Sequence, residues 1–194
     1  MAGLFESAGG GSAAIALDEL EASILRSLEV QMLELIGPGP GGDTSDPLAA
    51  LFAEGPSEAP ADPALARLFP DAYGDPEKPD DAETAETREA AREFRRYTEL
   101  DLRARKREDA LQVVRALDGL GGEGGVLKLA AADCLRWLGA LNDLRLTLGV
   151  RLEVAEEDEQ GLYDLPDTDE RKPLVMAYLW LGALQESLLE AIAD

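Results

Sequence analysis

Four polar side chains, Glu21, Asn142, Arg145 and Gln185, sit where the sequence calls for apolar ones. At about 100° per residue, Leu135, Leu138, Leu141, Leu148 and Leu152 share one helix face, and Asn142 and Arg145 fall inside that arc. Gln185 falls inside the arc of Leu174, Leu181, Leu184, Leu188 and Ile192, and Glu21 inside that of Leu17, Ile24, Leu25 and Leu28. A carboxylate, a guanidinium and two amides in one interior could bind a small polar ligand or carry acid–base chemistry. The same set could equally be a structural network that fixes helix register. Because an unpaired buried charge costs several kcal/mol, Glu21 is expected to meet Arg145, with Asn142 and Gln185 completing the hydrogen bonds. Glu21 has another reading, as the return arm of a capping box with Asp18.

Two of these residues, Asn142 and Gln185, lie in a repeated phrase, WLGALND at 137–143 and WLGALQE at 180–186. Its tryptophans, Trp137 and Trp180, are read as core residues rather than cofactor stackers, and Asp143 and Glu186 point away from the apolar arcs. Glycine inside a helix costs about 1 kcal/mol against alanine, so Gly139 and Gly182 imply close approach of a neighbouring backbone or ring.

The composition removes much other chemistry. There is no histidine, which excludes histidine triads, histidine metal ligands and imidazole catalysis. Cys134 is the one cysteine, so no intrachain disulfide forms, and no base stands ready to activate the thiol. GLGGEG at 119–124 spells GxGxxG but follows a helix where a dinucleotide site needs a strand, so it reads as a turn. The segment 153–170 holds nine acidic residues and no basic one, and lacks the ligand spacing of a calcium loop. It reads as a solvated loop or a handle for a basic partner. Arg95, Arg96, Arg103, Arg105, Lys106 and Arg107 form the one basic cluster, which could touch nucleic acid but is better matched to neighbouring Asp and Glu. A formal net charge of -22 makes nucleic acid an unfavourable general partner. No membrane segment or basic leader is seen, and a cytoplasmic protein without cofactor or metal is expected.

These residues must be positioned by helices. A glycine turn at 8–11 joins two short strands at 4–7 and 12–17, and a helix capped by Asp18 runs to the Gly-Pro stop at 37–40. Residues 37–80 are rich in proline and small residues and read as an irregular linker, interrupted by DPALARLFP at 62–70, a short capped helix that anchors Leu65, Leu68 and Phe69. A long helix follows over 81–118, its first half solvated, then a third strand at 126–129, a helix over 131–152 and a last helix from Pro173. The expected architecture is a single domain over 1–194, mainly α with a small β part: about four longer helices in a bundle beside a small antiparallel sheet.

GGVLKLAAADCLRWLGALNDLRLTLGVRLEV, YLWLGALQE, DPALARLFPDAY and LDELEASILRSL together resemble an uncharacterised bacterial family, domain of unknown function two-thousand-and-seventeen. The resemblance spans nearly the whole chain, though the alanine-rich opening departs from the more basic N-terminus of relatives. It marks Glu21, Trp137, Asn142, Asp143, Arg145, Gly149, Trp180, Gln185 and Glu186 as motif positions and assigns chemistry to none of them. It also implies relatives that are labelled transcriptional regulators and are encoded beside the Clp protease adaptor and a sulfur-carrier route to cysteine. The expectation is a non-enzymatic interaction protein, an accessory to regulated proteolysis or sulfur metabolism, with a protein partner or a homodimer. A transcriptional regulator and a small-molecule binder or enzyme using Glu21, Asn142, Arg145 and Gln185 are the alternatives.

Overall fold

The turn after the first strand needs three consecutive residues at positive φ, and Gly9, Gly10 and Gly11 supply them at 84°, 62° and 75°. The hairpin they close pairs β1 (Glu6–Gly9) with β2 (Ser12–Leu17). Along β2, Ala13, Ile15 and Leu17 turn inward while Ala14 and Ala16 face outward, the period-2 pattern of a half-covered strand. β3 (Gly125–Leu129) adds antiparallel to β2, with Ala13 opposite Leu129 and Leu17 opposite Gly125, giving the order β1-β2-β3. This computed structural model describes residues 3–38, 54–73, 85–154, 162 and 165–193. Half of the expected linker (39–53 and 74–80), half of the expected acidic loop (155–161, 163 and 164) and the expected start of the long helix at 81–84 lie outside them.

Helix α1 (Glu19–Ile36) starts on a complete capping box: Glu21 N–H donates to Asp18 Oδ1 at 2.8 Å, and Asp18 N–H donates to Glu21 Oε2 at 3.0 Å. It stops at Gly37, whose N–H bonds Leu33 O. α2 (Pro63–Leu68) is capped by Asp62 and sinks Leu68 and Phe69 into the core as expected. α3 (Ala85–Asp118), α4 (Ala131–Arg151) and α5 (Lys172–Ala193) complete the bundle, so the structure is mainly α with one small antiparallel sheet. Every one of these elements except β1 contributes to one buried apolar cluster centred on Trp137, Leu141, Leu181, Leu184 and Leu188. Among the described residues, no helix is long and apolar enough to cross a membrane.

Three expectations about faces are corrected. The buried positions of α1 are Ala22, Leu25, Glu29, Met32 and Ile36, a three-four spacing that faces α3 and α4, so the true seam is rotated by about one residue and Ile24 is 38% exposed. Leu135, placed on the core face, is 66% exposed. The first half of α3 is not simply solvated either: Arg95, Glu99 and Arg103 are buried, because the 69–71 segment and the end of α1 pack on them.

Candidate functional site

Helices α4 and α5 run antiparallel, which brings Asn142 beside Gln185, Arg145 beside Gly182, and Gly149 beside Tyr178. Gln185 Nε2 donates to Asn142 Oδ1 at 3.4 Å, and Gln185 Oε1 has no hydrogen-bond partner among the described residues. The Arg145 guanidinium lies 5.2 Å from the centre of the Tyr178 ring, a cation–π arrangement. A Cβ added to Gly182 would stand 3.5 Å from Arg145 Nε, so the glycine in the second phrase is where Arg145 crosses α5. In the first phrase the neighbour of Gly139 is Asp109 of α3, at 3.4 Å. The close approaches expected at these glycines are therefore made by charged side chains rather than by backbone or tryptophan.

Around the Arg145–Tyr178 contact the surface opens into two depressions of about 530 Å³ each. Leu179, Ala183, Gln185 and Glu186 line one, and Arg67, Asn142, Gly149 and Glu153 the other. The groove offers guanidinium donors, amides and carboxylates interspersed with leucine, valine and alanine side chains, the equipment for holding a polar segment of another molecule.

Glu21 is not at this groove. Its carboxylate serves the capping box of α1, and α1 meets α4 through Leu144, Thr147 and Leu148, a different face from the one that carries Arg145. The expected Glu21–Arg145 pair is thus replaced by the local cap, which the first turn of α1 supplies more cheaply than a long-range ion pair. Asn142, Arg145 and Gln185 do come together, half-buried rather than buried. Trp137 is a core residue that meets Phe5 edge-on at 5.9 Å, Trp180 is half-buried, and Glu186 points to solvent as expected.

Asp143 does not point away. It is 5% exposed and accepts from Lys106 Nζ at 2.5 Å. Nearby, Glu29 is fully buried, and neither of its oxygens has a hydrogen-bond partner among the described residues. Burial first, and then the charge of Asp143, push the Glu29 carboxyl up to about 8. Burial also raises the Asp143 carboxyl above the ordinary aspartate value, opposed chiefly by Lys106. A helical wheel alone picks Glu21 as the buried acid. The three-four spacing of Ala22, Leu25, Glu29, Met32 and Ile36 is the signal that identifies Glu29 instead.

The basic cluster on α3 is largely spent inside the molecule. Arg95 bonds Asp71, Phe69 O at 2.8 Å and Glu99, while Arg103 bonds Glu99 at 2.9 Å and Ile36 O at 2.7 Å with its guanidinium 4.3 Å from the Phe69 ring centre. Arg107 donates to Leu33 O and Gly37 O at 3.1 and 2.9 Å. Arg103 and Arg107 therefore cap the last carbonyls of α1, a helix with no basic residue of its own in its last turn. Arg96 pairs with Glu54, and Arg105 remains exposed. The Arg-Glu-Arg ladder at 95, 99 and 103 is legible in its i,i+4 spacing.

Cys134 is fully buried, 3.8 Å from Leu129 O, and burial raises its thiol above the ordinary value. A thiol so placed is expected to react with an aromatic disulfide reagent only after unfolding. Stopped-flow titration of the native and urea-unfolded protein checks this, and rapid native labelling would contradict it.

The family profile described as Domain of unknown function (DUF2017) matches residues 1–192. The Oxidative stress regulator AosR of Mycobacterium tuberculosis and that of Mycobacterium bovis are each 35% identical over 175 residues, covering 87% of this chain and 77% of theirs. The Putative oxidative stress regulator AosR of Mycobacterium leprae is 32% identical over 178 residues, covering 89% of this chain and 78% of its own. No solved structure matches.

Proposed function

Because the chain belongs to the DUF2017 family, we propose that it is a regulator in the response to oxidative stress that works by binding another protein. The relatives named oxidative stress regulator support the first half of that reading. The observation that carries the second is the inward turn of the α3 cations: Arg95, Arg103, Lys106 and Arg107 are committed to internal carboxylates and carbonyls. A chain of net charge -22 whose main basic cluster is so occupied has little left for a phosphate backbone, and suits a partner with a basic face. The groove around Arg145 is the contact site in this reading, since Asn142, Arg145, Gly149, Gln185 and Glu186 all line it. With one cysteine, and that one buried, this chain has no pair of thiols for an intrachain disulfide, and in this reading a partner's thiols sense the oxidant.

In vivo crosslinking in the native host, before and after peroxide, tests this. A defined protein partner is expected with the wild type, and its recovery should fall at least tenfold with Ala183→Trp, which fills the groove from an exposed position. Undiminished capture by that variant would remove the groove from the reading. Tight duplex DNA binding at physiological salt by the purified protein, with a steep salt dependence, would overturn the protein-contact reading itself.

A further inference from the structure

A fully buried carboxyl group with no hydrogen-bond partner is costly, and Glu29 sits at the junction of three helices. We propose that Glu29 is a proton-operated latch: protonated, it lets α1 lie sealed against α3 and α4, and loss of its proton shifts the balance towards separation of α1 from that seam. The neighbours decide this. On the buried face of α1 itself, Ala22, Leu25, Met32 and Ile36 offer no charge. β2, which touches α1, buries only apolar side chains, Ala13, Ile15 and Leu17. From α4 comes the carboxylate of Asp143, and Thr147, whose hydroxyl is engaged with Met32 Sδ. From α3 comes Lys106, already on Asp143, with Arg105 and Asp109 acting on that pair from beyond it. Arg103 and Arg107 are held on the carbonyls of Ile36, Leu33 and Gly37, and Arg26 on Asp118.

The seam thus holds two carboxyl groups and one ammonium. With Glu29 protonated, the single negative charge of Asp143 is matched by Lys106. Loss of the Glu29 proton leaves two carboxylates competing for one cation where water is excluded, and the relief is for water to enter by separation of α1. The burial-driven rise of the Glu29 carboxyl to about 8 puts that event just above neutrality. Release would uncover Leu25, Met32 and Ile36, an apolar stripe closed in the latched state.

Hydrogen exchange on the whole chain from pH 6 to 9, expressed as protection factors so that intrinsic exchange is removed, tests the latch. Protection of the α1 amides is expected to fall about tenfold per pH unit until pH 8 and then level off, while remaining well below that of the α5 core amides. In Glu29→Gln, which copies the neutral form and so should fold at least as well, α1 protection should be flat with pH. A side-chain carboxyl carbon signal of Glu29 in the wild type should titrate near 8. The proposal fails if that signal titrates like an ordinary glutamate, if Glu29→Gln keeps the wild-type slope, or if α1 and α5 share one protection factor at pH 8, since the only opening is then global unfolding.

Discussion

Replacing Glu99 by alanine is expected to destabilise the fold by about 3–5 kcal/mol, the cost of breaking a buried ion pair by removing one partner. Glu99 is 3% exposed and stands between Arg95 and Arg103, four residues to either side on α3. Taking it away leaves two guanidiniums buried with their shared counterion gone. Arg95 would keep Asp71 and Phe69 O, and Arg103 would keep Ile36 O and the Phe69 ring, so the loss belongs nearer the lower end of that range. Glu99→Gln keeps the shape and an acceptor, and should cost less. Urea unfolding of the three proteins at one pH gives the values. A Glu99→Ala protein within about 1 kcal/mol of wild type would show that the ladder is decorative, as exposed pairs such as Arg26–Asp118 commonly are. Because Glu99 holds the guanidinium with which Arg103 caps α1, the same variant should also loosen the last turn of α1, a local readout that simple loss of packing on α3 does not predict.

What could be read from the letters followed the range of the interactions involved. The glycine hairpin, the Asp18–Glu21 box, the Asp62 cap with Pro63 and the strand at 126–129 all rest on rules spanning a few residues, and all are present in the structure. The family resemblance held across the chain. Of the expected polar cluster, Asn142, Arg145 and Gln185 meet, because two antiparallel helices with matching phrases leave little choice of register. Several of the misreadings share one cause. A helical wheel gives the α1 seam to Ile24 and leaves Glu29 outside it, since charge is counted as a mark of solvent. Arg95, Glu99, Arg103 and Asp143 are placed outside by the same rule, and all four are buried. Their partners Phe69, Ile36 and Lys106 lie 26, 67 and 37 residues away, and no local pattern states such a contact.

Glu29→Gln is expected to stabilise the protein, and increasingly so as the pH rises. The sign follows from the direction of the shift. The folded carboxyl lies near 8 and the unfolded one near the ordinary value of 4.5, so between those limits the folded state holds a proton that the unfolded chain has shed. The contribution of Glu29 is fully present below about pH 4.5, declines by about 1.4 kcal/mol per pH unit above it, and stops changing once the folded carboxyl has ionised near pH 8. Asp143 and Asp109, also raised by burial, add slope of the same sign at the acid end of the window. Glutamine matches the protonated form in size and neutrality, and is equally without a partner in the seam, so the two proteins should nearly coincide at pH 5. By pH 8 the variant should lead by roughly 2–4 kcal/mol, the upper part of that range requiring that the seam stay dry when Glu29 ionises. Denaturant unfolding at half-unit steps from pH 5 to 9 separates the cases. Parallel curves for the two proteins would mean that Glu29 is already ionised and solvated at neutral pH, and that the α1 seam is open to water without any change of proton occupancy.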